Sequence, residues 1–212
     1  MTLSAANTTS NSALNARDTD DRRLAGAIEQ TFAQCFAQNY QTQLVGGALE
    51  PLYQPASSGQ PARLLYREDF PASALHEVAH WCVAGKARRK LEDFGYPYIP
   101  EPRSPDQQAT FFALELRTQS LEKQFAHAAG LDFSPSADNL QADLDGFGRD
   151  IDAYEPQLLD WLASPAGARA QLFINGLKET FAKEAEVSAR LVQWPEAHVC
   201  LNDSSDRGAD SA

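Results

Sequence analysis

His76 and His80 stand four residues apart in the run Ser73-Ala74-Leu75-His76-Glu77-Val78-Ala79-His80-Trp81-Cys82-Val83. On an α-helix, residues four apart project about 40° from one another, so the two imidazoles can share one metal ion. With Glu77 between them the run reads His-Glu-x-x-His, and half of the chain's four histidines lie in it. The other two, His127 and His198, have no such setting and read as structural or surface residues. Two imidazoles leave a metal under-coordinated, and a carboxylate from a later segment is the usual complement. Glu115 is the best candidate, because in Phe111-Phe112-Ala113-Leu114-Glu115-Leu116 a charge among apolar neighbours must be paired, coordinated or turned outward. Two histidines and a carboxylate leave metal positions open. Zinc there activates water for hydrolysis with Glu77 as general base, whereas ferrous iron binds dioxygen for oxidation, and spacing does not choose between the two.

The element that must carry the histidines is legible as well. Leu75, Val78, Ala79, Cys82 and Val83 form a stripe that buries one helical face and leaves both imidazoles at its border, and Pro71 suits the helix start. Leu24, Ile28, Phe32, Cys35 and Phe36 predict an amphipathic helix from about Asp21 to Asn39. Leu64, Leu65 and Tyr66 predict a short strand between turn-rich segments. Pro97, Pro100, Pro102 and Pro105 predict a long loop, a candidate lid. Thr118 is expected to cap a helix that carries Leu121, Phe125 and Ala128 inward and stops at Gly130. Further helices are expected over Leu158 to Leu162 and through Leu172, Phe173, Leu177 and Phe181. The fold class expected is α+β, predominantly helical: a single compact domain over residues 21–197, with a zincin-like metal helix and a small β component. Residues 1–20 and 198–212 are too poor in large apolar residues to offset their ordering entropy and are expected to be disordered tails.

Composition narrows the function classes. A chain of 212 residues with 43% hydrophobic residues can bury one sizeable core, and its formal charge of −11 argues against direct nucleic-acid binding. No run approaches the roughly 18 apolar residues of a membrane span, and no secretory signal opens the chain. The three cysteines, Cys35, Cys82 and Cys200, are far apart and fit a reducing cytoplasm.

From Ser73 to Tyr96 the sequence SALHEVAHWCVAGKARRKLEDFGY closely resembles the bacterial elongation factor P hydroxylases. The similarity continues in Leu114-Glu115-Leu116, Ala128-Ala129-Gly130, Asp138-Asn139-Leu140 and Gln193-Trp194-Pro195-Glu196-Ala197. The resemblance implies hydroxylation of a lysine of elongation factor P that already carries a β-lysyl extension. It implies His76, His80 and Glu115 as metal ligands, Fe(II) as the functional metal and molecular oxygen as co-substrate. Glu77 then becomes an acceptor or proton carrier beside the metal, its catalytic role here. The alternative is a zinc metallopeptidase using the same His-Glu-x-x-His site.

Around this motif, Lys86, Arg88, Arg89 and Lys90 form a basic cluster that reads as a solvated face or as a docking surface for an acidic partner. Glu92 and Asp93 are candidates to receive the cationic lysyl extension. Tyr96, Tyr98 and Trp81 are candidates for the pocket wall, with core packing as the competing use.

Overall fold

The computed structural model describes residues 6–95, 103–137 and 142–192, with side chains described over 18–95, 103–137 and 142–186. Helix α1 (Ala6–Tyr40) leads into strands β1 (Thr42–Ala48), β2 (Leu52–Gln54) and β3 (Ala62–Arg67). Next come α2 (Pro71–Val83), α3 (Pro105–Ala129), α4 (Leu144–Ala153), α5 (Glu155–Leu162) and α6 (Ala168–Val192). The expectation of a predominantly helical chain with a small β component holds. The described sheet has three strands in the order β1-β3-β2, with β1 parallel and β2 antiparallel to β3.

Helix α2 is the hub: it packs against α1, α3 and α6 and against β1 and β3. Its apolar stripe explains this placement, since Ala74, Leu75, Val78, Ala79 and Cys82 are all buried. Pro71 occupies its first turn, where the missing N–H costs nothing. At the other end, Arg169 from α6 donates to the carbonyls of Cys82 (2.8 Å) and Ala84 (2.7 Å), giving the carbonyl end of the helix dipole a half-buried cation. The sheet is tied to α1 by one carboxylate. Glu29 Oε1 accepts from the Gly46 N–H at 3.0 Å and from the Tyr66 hydroxyl at 2.9 Å. A side chain at position 46 would meet the Tyr66 hydroxyl at 2.6 Å, so only glycine permits this approach.

Several expectations are corrected. Residues 6–20 are helical, because α1 runs back to Ala6 from the predicted start at Asp21. Once the packed part of the helix is nucleated, extension through Ala13, Leu14, Ala16 and Arg17 adds one hydrogen bond per residue at low cost. Thr118 does not cap a helix. It lies 1% exposed inside α3, whose true cap is Ser104, with the reciprocal Ser104–Gln107 capping box and Pro105 in the first turn. Pro105 therefore opens a helix; Pro97, Pro100 and Pro102 lie outside the described residues. The expected stop at Gly130 holds, with φ of 68° in the left-handed region. Leu172 is 46% exposed, so the inward face of α6 is carried by Phe173, Ile174 and Leu177. Strands β1 and β2 and helix α4 were not anticipated. The expected tail at 198–212 lies outside the described residues.

Candidate metal centre

The site is built where α2 crosses α3. His76 and His80 leave α2 on one side, and Glu115, Gln119 and Glu122 leave α3 toward them at spacings of four and three. The two Nε2 atoms are 3.1 Å apart. Glu115 Oε2 lies 3.7 Å from His76 Nε2, and its Oε1 lies 3.4 Å from His80 Nε2. One donor atom from each of the three residues falls within 4.8 Å of the others. Metal bonds of about 2.0–2.2 Å at tetrahedral or octahedral angles place neighbouring donors about 3.0–3.5 Å apart. The observed edges therefore suit three donors on one side of a single ion, and the nitrogen–nitrogen–oxygen donor set fits zinc or ferrous iron. The expected grouping of His76, His80 and Glu115 is thus a real juxtaposition.

Glu122 was not anticipated. Its Oε2 lies 2.8 Å from His76 Nδ1, the ring nitrogen that faces away from the other donors. A carboxylate there holds the proton on Nδ1 and leaves Nε2 as the donor toward a metal, while making the ring a stronger base. A signal existed in the sequence: Glu122 is seven residues after Glu115, on the same face of one helix. Placing the helix start at Thr118 separated the two.

Electrostatics follow from burial and from the carboxylates. In the metal-free protein, burial disfavours the charged form of His76, yet the charge and hydrogen bond of Glu122, with Glu115 and Glu77, outweigh it and raise its pKa to about 10. His80 moves the other way, well below its ordinary value, through burial and then the nearby His76. Glu77 is 9% exposed, and its pKa rises to about 7. Burial is the main cause; His76 opposes it, and Glu115, Asp93 and Glu122 add to it. Glu77 therefore exchanges a proton near neutral pH.

The remaining candidates divide. Trp81 belongs to the core: it is 1% exposed, and its ring lies 4.8 Å from that of Phe36 and 5.3 Å from that of Phe32. It follows His80 by one residue, about 100° further round α2, and its packing against Phe32 and Phe36 places it in the core. Tyr96 and Tyr98 lie outside the described residues. The aromatic wall that the structure does describe is Phe94, 4% exposed, stacked on Tyr53 at 4.3 Å and 6.4 Å from the His80 ring. Phe94 is in the left-handed region (φ 58°), as is Asp93 (φ 45°), whose Oδ1 accepts from the Tyr53 N–H at 2.8 Å. Glu92 is exposed. The basic cluster splits, with Lys86, Arg88 and Lys90 exposed and Arg89 turned inward over the rings of Tyr40 and Trp81. His127 is exposed in the last turn of α3, as expected, and His198 lies outside the described residues. Among the described residues no helix is long and apolar enough to cross a membrane.

Comparison with known proteins bears on this geometry. The model of the elongation factor P hydroxylase family matches residues 31–191, a span containing all three donor residues, Glu77 and Glu122. A curated protein of Haemophilus influenzae described as elongation factor P lysine hydroxylase is 52% identical over 110 residues, which cover 51% of this chain and 62% of that protein.

Proposed function

We propose, from the premise that this chain belongs to the elongation factor P hydroxylase family, that it hydroxylates a lysine of elongation factor P with a ferrous ion held by His76, His80 and Glu115. The observation that carries the reading is the convergence of those three donors inside the family match. The peptidase alternative gains no support from the two matches, both of which are described as hydroxylases. The finer reading is that the target lysine already carries the β-lysyl extension, that molecular oxygen is the co-substrate, and that the enzyme works in the cytoplasm beside its substrate. In the same reading α2 is a zincin-like metal helix and the hydroxylase domain spans residues 21–197.

Ferrous iron, when bound, supplies the activation of dioxygen. The chain's own residues do the rest. Glu122 holds His76 with Nε2 facing the other donors. Glu77, with its pKa near 7, takes up or releases a proton beside the reacting groups. Phe94 on Tyr53 walls the site beside His80 and limits water there. Glu77 and Asp93 supply negative charge that complements a cationic lysyl chain.

The test is direct. Purified protein with Fe(II), a reductant and oxygen is incubated with elongation factor P bearing the lysyl extension, and the product is weighed by mass spectrometry. One oxygen atom of O₂ enters the new C–OH and the other leaves as water, with two electrons from the reductant. The expected product is the intact factor carrying one added oxygen, formed only when oxygen is present. Cleavage of the factor, or turnover by a zinc-only preparation without oxygen, overturns the reading.

A further inference from the structure

After α3 ends at the left-handed Gly130, the Leu131 N–H closes back on the Ala126 carbonyl at 2.9 Å and the chain reverses. Residues 131–137 carry no regular secondary structure. By Ser136 this strap has come back alongside Gln119. Eleven helical residues rise about 16 Å, a distance that six near-extended residues, at about 3.3 Å each, can retrace. Along the way Leu131, Phe133 and Ser134 line a cavity of about 420 Å³ together with Leu75 and Glu122. The strap thus shares a cavity wall with Glu122, the partner of His76.

Its anchor is reciprocal. The Ser136 N–H donates to Gln119 Oε1 at 3.0 Å, and Gln119 Nε2 donates to the Ser136 carbonyl at 2.9 Å. These two bonds settle which end of the amide is oxygen and which is nitrogen, because the reverse orientation would set donor against donor and acceptor against acceptor. The same Nε2 has a second hydrogen, and it is directed at Glu115 Oε2, 3.5 Å away. Gln119 is 1% exposed, so water does not compete for these groups.

We propose that Gln119 is a positioning residue for Glu115: clamped by the backbone of Ser136, it holds the carboxylate by Oε2 and so couples the strap Leu131–Ala137 to the metal centre. The proposal rests on the reading of His76, His80 and Glu115 as metal ligands. Gln119 itself is no ligand, and its part is to limit the rotation of the carboxylate that is one. Outer partners of this kind typically change metal affinity by about 10- to 100-fold.

The experiment uses Co(II) alone, with affinity read by competition against a chelator and ligand geometry read from the visible spectrum. Gln119→Leu keeps the volume and removes both the clamp and the donor. It is expected to weaken Co(II) binding by at least about tenfold and to alter the visible bands, with the metal-free melting temperature close to wild type. Ser136→Pro removes the N–H that orients the amide and fixes φ at an exposed residue that already follows Pro135, and is expected to weaken binding by about threefold with a spectral change in the same direction, a part of the full loss. Wild-type affinity and spectrum in Gln119→Leu overturn the proposal. If Gln119→Leu fails to fold, Ser136→Pro decides, and a wild-type spectrum and affinity there overturn the proposal. Wild-type protein that binds no Co(II), or His80→Ala that binds it equally well, overturns the metal-site reading instead.

Discussion

Helix α2 has two buried faces of opposite character. One presents Trp81, Val78, Ala74 and Cys82 to a core of Phe32, Phe36, Phe125 and Phe173, where edge-on and tilted rings at 4.8–6.1 Å fill space, with the Arg89 and Arg169 guanidiniums over the outer side of Trp81 as the nearest charges. The other presents His76, Glu77 and His80 to Glu115, Gln119 and Glu122, all of them largely removed from water. Burying apolar surface is favourable wherever shapes fit, whereas burying carboxylates and imidazoles is tolerated only when each charge finds a partner. The aromatic face therefore holds the helix in place, and the polar face is held in place by it. The difference teaches that one helix can divide the packing that fixes it from the polar groups it gathers, and substitutions can test whether stability and the proposed metal binding are separable.

Removing a donor has the largest effect. His80→Ala and Glu115→Ala are each expected to reduce metal binding by more than the roughly 10- to 100-fold cost of losing an outer partner, and to abolish turnover, while circular dichroism stays that of the folded protein. His76→Ala should do the same to the metal and cost more stability than His80→Ala, because it leaves the Glu122 carboxylate buried without the ring it now contacts. Equal melting temperatures for the two variants would break that distinction. On the opposite face the order reverses. Trp81→Ala is expected to cost about 3–5 kcal/mol of stability in chemical denaturation, with metal affinity near wild type under conditions where the variant remains folded. A loss of affinity in the folded variant would mean that the two faces are not separable.

Glu122→Gln tests the polar face more finely, since it keeps the shape and removes the charge that holds His76. Metal affinity is expected to fall by about 10- to 100-fold, with a small change in melting temperature. An unchanged affinity would show that packing alone orients the ring. The pH response is the gentlest test. In the metal-free protein, His76 has a pKa of about 10 against its ordinary 6.5, so its contribution to stability is complete below pH 6.5 and is lost as pH rises toward 10. Glu77, at about 7 against 4.5, acts in the same direction over that lower range. His80, held below its ordinary value, acts oppositely, but only below pH 6.5. From pH 7 to 10 the melting temperature of the metal-free protein is therefore expected to fall. Metal affinity is expected to rise over the same range by about tenfold per pH unit, because binding displaces one proton from His76. A flat affinity profile would show that His76 is already neutral.

How much of this was legible before the structure varies by residue. The helix bearing His76 and His80, its buried stripe and the candidacy of Glu115 were all read from spacing and neighbours. The wrong start at Thr118 had a definite cost: with Ser104 as the cap, Glu115, Gln119 and Glu122 fall on one face, and with Thr118 as the cap they do not. Trp81 could be read as pocket wall or core, because its spacing from His80 does not say which neighbour lies on which side. The left-handed Phe94 had no local signal, since a bulky side chain disfavours that region, and Asp93 carried only the weak one of a residue type that visits it more often than most.

What the sequence determined by itself is the pair of imidazoles: the 3.6-residue period places His76 and His80 on one side of any helix that contains them, whatever surrounds it. Only the tertiary structure decided the rest. Which residues of α3 meet that pair depends on where α3 begins and how it crosses α2. The pKa values of His76, Glu77 and His80 depend on burial and on charges at long sequence separation, from Glu115 and Glu122 on α3. Local periodicity is a property of the chain, whereas the field around a buried charge is a property of everything packed against it.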